Sequence, residues 1–134
     1  MYTSYWSDNY IINSTFINNS ADTEGMAIAS NVHTKSHIIN CNFINNYAKI
    51  EGGAISISKN ENVIIIGCNF KNNHAKNGRA IYSNDRRVIV VTSIFAKEKD
   101  MEVSGNLTLI NCHFSNEKMK SKIKIYLTSK KKNI

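Results

Sequence analysis

The sequence lacks a long apolar run, a signal peptide and proline. No segment approaches the ~20 consecutive apolar residues of a membrane-spanning helix. The opening segment, MYTSYWSDNY, lacks the basic and apolar regions of a signal peptide. We therefore expect neither an anchor nor an export signal in this chain. Without proline, many turns are expected at the abundant asparagines, because Asn tolerates left-handed backbone and forms side-chain turns.

Motifs for common catalytic and metal sites are also missing. The chain has no P-loop, no Gly-x-Ser-x-Gly elbow, no clustered Asp set for calcium and no cysteine pair with zinc-finger spacing. His33 and His37 are four residues apart, which suits a metal only on a helix. Here they lie in a loop that runs into a strand, so we interpret them as surface histidines. The sequence predicts no metal and no cofactor.

Acidic residues are missing from the last part of the chain. All 10 Asp and Glu precede residue 118, where they balance the basic residues, whereas 7 lysines follow. We predict two segments, β-helix repeats over 1–117 and a basic tail over 118–134 that adds at most one strand before becoming disordered. A basic tail suits nucleic acid or anionic lipid. We interpret this one as a solvated end and expect no nucleic-acid partner.

What the chain does contain is a repeat. Phe16, Phe43 and Phe70 are 27 residues apart, and each begins the motif Phe-x-Asn-Asn. An Ala and then a Gly-x-Ala-Ile motif follow each time, and degenerate copies surround Phe95 and Phe114. Short β-rich runs bounded by Asn, Gly and Ser fill the unit, and a period of 20–50 residues is typical of solenoids. Since one such unit cannot close its own core, we predict an all-β, parallel β-helix of about four to five coils.

Stacked coils predict columns of like residues. The position two residues before each Phe is small and suits a crowded interior. The position before that requires a sharp left-handed bend, because Asn and Gly exchange there. We also expect the inner Asn of each pair to form an amide ladder. The two columns before the Phe are Ser14, Cys41, Cys68, Ser93 and Cys112, and Asn13, Asn40, Gly67, Thr92 and Asn111.

Two adjacent apolar rows leave one question open. Side chains alternate in a strand, so one of the rows faces outward unless the bend redirects it. An outward Ile row is a candidate contact surface. The two rows are Ile11, Ile38, Ile65, Val90 and Leu109, and Ile12, Ile39, Ile66, Val91 and Ile110.

The repeat resembles those of chlamydial polymorphic outer membrane proteins and of adhesin-like β-helix proteins from other microbes and protists. The resemblance covers roughly residues 10–117. It implies a right-handed, pectate-lyase-like parallel β-helix, a cell-surface or extracellular location, and adhesion to a host-surface protein or glycan. Only one copy has the full Gly-Gly-Ala-Ile, and the export signal and membrane-inserting barrel of the chlamydial proteins are missing. The matching residues are the pairs Phe16/Asn19, Phe43/Asn46 and Phe70/Asn73, with Gly52, Gly53, Ala54 and Ile55.

The chain also lacks recognisable caps. It begins inside a repeat and ends in KIKIYLTSKKKNI, whereas natural solenoid ends are covered. We therefore expect an uncapped fragment whose first partners are other repeats of a longer chain. A truncated fragment without a function of its own is the corresponding alternative.

The cysteine spacing allows two interpretations, a disulfide or a column of reduced thiols. Cys41 and Cys68 are expected one coil apart, about 4.8 Å along the stack, which is within disulfide range for the Cα atoms. Parallel side chains rarely meet the required torsion, so we favour a buried, reduced column. Cys112 lies beyond Ser93 and is expected to be unpaired.

Carboxylates provide the only candidates for catalysis. Glycosidic cleavage needs two carboxyl groups about 5–9 Å apart, and Glu24 and Glu51 share a repeat position. Asp85 beside Arg86 is a second candidate, as a binder of acidic sugars. All of these flank turns, where exposed charges are ordinary. We predict a non-enzymatic repeat module of an adhesin-like or structural protein, with a carbohydrate-active lyase or hydrolase as the alternative.

Overall fold

The computed structural model describes residues 1–4, 7–23, 27–31, 35–58, 62–84, 87–96, 101–115 and 123–124. Within these ranges the chain forms β-strands and turns, with no helix, and therefore none long and apolar enough to cross a bilayer. The all-β prediction is confirmed. Glu24, His33, Asp85 and Arg86 lie outside the described residues, as does most of the basic tail.

Each turn of the repeat supplies one short strand to each of three main sheets. Sheet A consists of β1 (Tyr2–Ser4), β5 (Ile28–Asn31), β9 (Ile55–Ser58), β12 (Ile81–Ser83), β15 (Met101–Val103) and β18 (Ile123–Lys124). Sheet B consists of β2 (Asp8–Ile12), β6 (Lys35–Ile39), β10 (Asn62–Ile66), β13 (Arg87–Val91) and β16 (Asn106–Ile110). Sheet C consists of β3 (Thr15–Ile17), β7 (Asn42–Ile44), β11 (Asn69–Lys71), β14 (Ile94–Ala96) and β17 (His113–Phe114).

All strand pairs within these sheets are parallel, and every strand pairs with its equivalent in the next repeat. In sheet B, for example, Ile38 lies opposite Ile11 on one side and Ile65 on the other. A small fourth sheet pairs β4 (Ser20–Ala21) with β8 (Tyr47–Ala48) in the same way. Stacked parallel strands of this kind form a β-solenoid, so the predicted parallel β-helix architecture is confirmed at that level. Sheets B and C each stack five strands and sheet A stacks six, against a prediction of about four to five coils.

The core is a set of columns that run through the stacked strands. Phe43, Phe70 and Phe95 are fully buried, and their rings stack with centroids 4.7–5.0 Å apart. Phe16 and Phe114, half-buried, extend the same column at either side. Columns of Ile and Val from sheets A and B complete the interior. Each ring or branched side chain therefore packs against its own equivalent, which explains why the sequence repeats them.

The bend between sheets B and C lies where the sequence predicts it. Asn13, Asn40, Gly67, Thr92 and Asn111 all have positive φ, between 46° and 62°. Their conformation is left-handed, which Asn and Gly tolerate best, so the predicted bend column is confirmed. The structure adds a second left-handed column that the sequence reasoning did not predict. It lies after sheet C and consists of Asn18, Asn45 and Asn72.

The buried amide ladder is present. The Asn19 side chain donates from Nδ2 to Asn46 Oδ1 at 2.8 Å, and Asn46 donates in turn to Asn73 Oδ1 at 2.9 Å. Asn46 also donates to the carbonyl of Phe16 at 3.0 Å. These bonds link the turn after sheet C from one coil to the next, in a place where backbone groups would otherwise lack partners.

The Gly-Gly-Ala-Ile copy is tightly packed. Gly52 has a φ of 61°, and a Cβ atom on it would lie 2.3 Å from the carbonyl oxygen of Ile55. A Cβ on Gly53 would lie 2.3 Å from the backbone oxygen of Arg79, in the next coil. The second glycine is thus needed because the backbone of the neighbouring coil occupies the position of its side chain. Ala54 and Ile55 then continue into the core.

Candidate binding face

Sheet B resolves the question left by the two apolar rows. Its buried positions include Ile11, Ile38 and Ile65, whereas the neighbouring row points away from the core. Ile12 is 48% exposed and Ile110 is 44% exposed, and the three side chains between them are half-buried. An apolar row that repeats as regularly as the core therefore lies on the molecular surface.

Strand alternation places two more rows on the same side of sheet B. Side chains at every second position share a face, so the outer face of sheet B carries three parallel rows. The aliphatic row is Ile12, Ile39, Ile66, Val91 and Ile110. The middle row is Tyr10, His37, Ile64, Ile89 and Thr108. The polar row is Asp8, Lys35, Asn62, Arg87 and Asn106.

The middle row begins with two aromatic rings. Tyr10, 63% exposed, stacks on His37 with ring centroids 4.6 Å apart and an interplanar angle of 5°. Because each ring lies on its neighbour along the stack, the rings present their edges to a ligand above the sheet. Above the sheet the face therefore offers polar ring edges and aliphatic side chains, and the open ring face of Tyr10, on the edge strand β2, points along the stack.

A depression of about 250 Å³ lies between the polar and middle rows on the three central strands. Lys35 and Arg87 form its ends, with the shorter Asn62 between them, and its floor includes Ile64 and Ile89. Lys35 and Arg87 are two strand steps apart, roughly 9.6 Å at 4.8 Å per step. Within the described part of the chain neither cation forms an ion pair, so the depression has positive ends and an apolar side.

A second exposed aromatic pair among the described residues lies away from this face. Tyr47 stacks on His74 with centroids 5.6 Å apart, beside the small fourth sheet. Tyr47 is 44% exposed, and its neighbour in β4 is Ser20 rather than another ring. This pair belongs to a short, mixed row and does not form a continuous apolar surface.

The cysteines lie in the column that the sequence predicts. Cys41 and Cys68 are buried and free, and Cys112 is half-buried and free. The Sγ atom of Cys41 contacts the carbonyls of Ile39 and Ile11 at 3.3 and 3.4 Å. Burial raises the pKa of the Cys68 thiol to about 12, and it also raises the pKa of Cys112. The Cys68 and Cys112 thiols are therefore protonated at neutral pH.

Of the residues proposed for catalysis, the structure describes Glu51. Glu51 is half-buried and forms a parallel bridge with Asn77, so its backbone continues the stack. Its predicted partner Glu24, and the Asp85–Arg86 pair, lie outside the described residues. Among the residues that are described, no group of three or more His, Cys, Asp or Glu is placed to hold a metal ion.

The sequence predicted that one of two apolar rows faces outward, without deciding which, and the other two rows of this face were not predicted. The signal was available, because the middle and polar rows lie two and four positions before the aliphatic row in every strand. They look irregular in the sequence, since Tyr, His, Ile and Thr occupy one column. Comparisons with protein-family models, curated proteins and solved structures found no match to this chain.

Proposed function

We propose that this chain is a non-enzymatic repeat module of an adhesin-like protein at a cell surface or outside the cell. The outer face of sheet B would bind a host-surface protein or glycan by shape. One observation carries the proposal, namely that five coils place two continuous rows of largely apolar side chains on the surface. Regular exposed apolar patches of this kind mark interaction sites, because burying them from water is favourable.

The proposed fold type is a right-handed parallel β-helix of the pectate-lyase kind. Support comes from the general handedness rule, since connections between parallel strands of one sheet are right-handed in about 98% of cases. The resemblance of the Phe-x-Asn-Asn and Gly-Gly-Ala-Ile motifs to surface-protein repeats supports the same type. A rigid stack suits adhesion, because a preorganised face loses little conformational entropy on binding.

A bead assay tests the proposal. Beads coated with the chain are added to cultured epithelial cells, and the bound beads are counted. The matched control carries Ile64→Lys and Ile89→Lys, which place two charges on the outer face of sheet B without touching the core. We expect at least several-fold fewer control beads to bind. Equal binding of both bead types would remove this face from the function.

A second assay distinguishes the enzymatic alternative. The chain is incubated with a panel of neutral and acidic polysaccharides, and newly formed reducing ends are measured. We expect no release above that of a heat-denatured sample. Release that Glu51→Gln abolishes would replace the adhesin proposal with a carbohydrate-active enzyme, because a carboxyl group would then be essential.

A further inference from the structure

The outer face of sheet B is too small for a stable interface by itself. Five strands at 4.8 Å and four residue steps of 3.3 Å give roughly 24 by 13 Å, or about 300 Å². A standard protein–protein interface buries about 800 Å² on each partner. The face therefore fits a narrow occupant, such as one or two strands, better than it fits a broad globular surface.

Symmetry argues against a second copy of this chain as the occupant. Two two-fold arrangements keep the strands aligned and overlap all five of them face to face. In one, the polar row opposes itself in reverse order, and Lys35 lies against Arg87 of the other copy. In the other, the polar row lies against the aliphatic row, which buries Lys35 beside Ile39. Like charges repel in the first case and a cation is desolvated in the second.

The chemistry of the face also argues against a sugar chain. Sugars pack on open aromatic faces, but Tyr10 and His37 stack on each other with their ring edges toward a ligand above the sheet, and the open face of Tyr10, on the edge strand β2, points along the stack rather than over the sheet. All five positions of the aliphatic row are branched side chains without hydrogen-bonding groups. Such a surface is normally covered by another apolar protein surface, as when two sheets pack face to face.

We propose that the outer face of sheet B binds an acidic protein segment in extended conformation, with a carboxylate at position i and apolar side chains at i+2 and i+4. This inference rests on the proposed function and names the partner of that same face. In an aligned sheet-on-sheet arrangement, alternate side chains of the partner strand are about 6.6 Å apart, which is also the separation of the three rows. The carboxylate then lies over the polar row, and the two apolar side chains lie over the middle and aliphatic rows.

The position of the carboxylate follows from the depression. Above Asn62 it is one strand step, about 4.8 Å, from both Lys35 and Arg87. Among the residues that are described neither cation forms an ion pair. Asp8 is the neighbour of Lys35 in the polar row, on the side away from Asn62, whereas Asn106 is the neighbour of Arg87 on its far side. A partner carboxylate above Asn62 therefore shares Lys35 with Asp8 but meets no described acidic neighbour of Arg87 within the row. Asn62 adds an amide that donates to the same oxygen atoms.

A displayed library tests the partner class. β-Hairpins on yeast are randomised at i, i+2 and i+4 of one face with acidic, basic, polar, aliphatic and aromatic residues. They are selected on the purified 134-residue chain. We expect enrichment of Asp or Glu at i with aliphatic or aromatic residues at i+2 and i+4. The charge-reversed chain Lys35→Glu/Arg87→Glu is expected to bind these clones at least tenfold more weakly, and Asp→Lys at position i of the hairpin is expected to restore binding.

Two further variants serve as a charge-matched control and as a substitute for the charge-reversed chain. Lys49→Glu/Lys71→Glu makes the same change of charge at exposed lysines away from sheet B, and we expect it to leave binding unchanged. If circular dichroism shows that Lys35→Glu/Arg87→Glu does not fold, Lys35→Ala/Arg87→Ala replaces it. We expect this second variant to weaken binding several-fold.

The inference is wrong if no clone prefers the chain to its Ile64→Lys/Ile89→Lys variant, if enriched clones lack the carboxylate, or if charge reversal leaves their binding unchanged. If the bead assay still shows adhesion through this face in any of these cases, the binding role stands and only the partner class is wrong.

Discussion

At the scale of single residues, Asn46 illustrates how a buried amide holds neighbouring coils together. It is fully buried, and its amide accepts from both the backbone and the side chain of Asn19 while donating to Phe16 and Asn73. Replacing it removes the side-chain partner of three polar groups in one neighbouring coil, namely the backbone N–H and Nδ2 of Asn19 and the carbonyl of Phe16, while Asn73 Oδ1 keeps the bond from the Asn46 backbone. Each buried group left without a partner costs about 1–3 kcal/mol.

We therefore expect Asn46→Ala to lower the free energy of unfolding by about 2–4 kcal/mol in urea titrations. The matched control is Asn69→Ala. Asn69 is exposed and also donates to the equivalent Asn of the preceding coil, at 2.8 Å. We expect Asn69→Ala to lower the free energy of unfolding by no more than about 0.5 kcal/mol, because water replaces the lost partner. Equal effects of the two substitutions would show that burial of the ladder does not matter.

Gly53 and Gly67 are glycines for different reasons. At Gly53 an added methyl group meets backbone atoms of Arg79 and His74, which cannot move away separately from the stack. At Gly67 the nearest atom is the end of the exposed Asn40 side chain, and the φ of 62° is one that Asn adopts elsewhere in the column. We expect thermal unfolding to show that Gly53→Ala lowers the free energy of unfolding by about 3 kcal/mol or more. Gly67→Asn is expected to change it by no more than about 1 kcal/mol. A tolerated Gly53→Ala would mean that the coils are less tightly packed than the structure indicates.

The buried thiol of Cys68 gives the stability a defined pH dependence. Its pKa rises from an ordinary 9.0 to about 12 because burial disfavours the thiolate. Between these values the folded state binds more protons than the unfolded state, so the stabilising contribution is complete below about pH 9 and falls as the pH rises toward 12. We expect unfolding titrations from about pH 8 to 10.5 to show a steeper loss of stability for the natural chain than for Cys68→Ala. Identical slopes would contradict the assigned burial.

At the scale of the elements, strand β10 tests the division between core and surface. Ile65 is fully buried and Ile64 is half-buried on the outer face. Ile65→Lys buries an unpaired charge, and we expect it to cost more than about 4 kcal/mol or to prevent folding. Ile64→Lys keeps its charge in water and is expected to cost less than about 1 kcal/mol. Circular dichroism and urea titration of the two proteins decide the matter, and a reversed order would mean that the strand register is shifted by one residue.

The same strands show how far the sequence determines the fold. Columns of Phe, Asn and small residues repeat at one spacing, so stacking, the first bend and the buried amides follow from the sequence. The second bend at Asn18, Asn45 and Asn72 was missed, because both residues of each Asn pair are compatible with either a left-handed turn or a buried ladder.

The candidate face was only half predictable. Ile11 and Ile12 are chemically identical, and strand alternation alone does not decide which one is buried. That choice depends on the bend at Asn13, which fixes the direction of the strand relative to the core. The cationic ends of the depression come from Lys35 and Arg87, which are related only by a non-local register that the sequence spacing conceals.

At the scale of the whole molecule, stability is expected to come from contacts between successive coils, since each strand that the structure describes pairs with its equivalents in adjacent coils. A consequence is that the deletion of one complete coil keeps the remaining strands in register, whereas the deletion of one residue more does not. Deleting residues 42–68 joins Cys41 to Asn69 and leaves every later residue in its column, because the equivalent residues are 27 apart. Phe70 then stacks on Phe16, and Asn73 accepts from Asn19.

We expect this shortened chain to fold into the same parallel stack, with a lower urea midpoint because one coil and its contacts are lost. The control deletes residues 42–69, one residue more. It shifts the following strand by one position and so turns Phe70 toward solvent, since side chains alternate with a period of two. Far-ultraviolet circular dichroism and unfolding cooperativity should distinguish the two chains. If both folded equally well, the columns would not define the register. If the in-register deletion alone failed, stability would depend on contacts beyond adjacent coils, and the molecule would not behave as a solenoid.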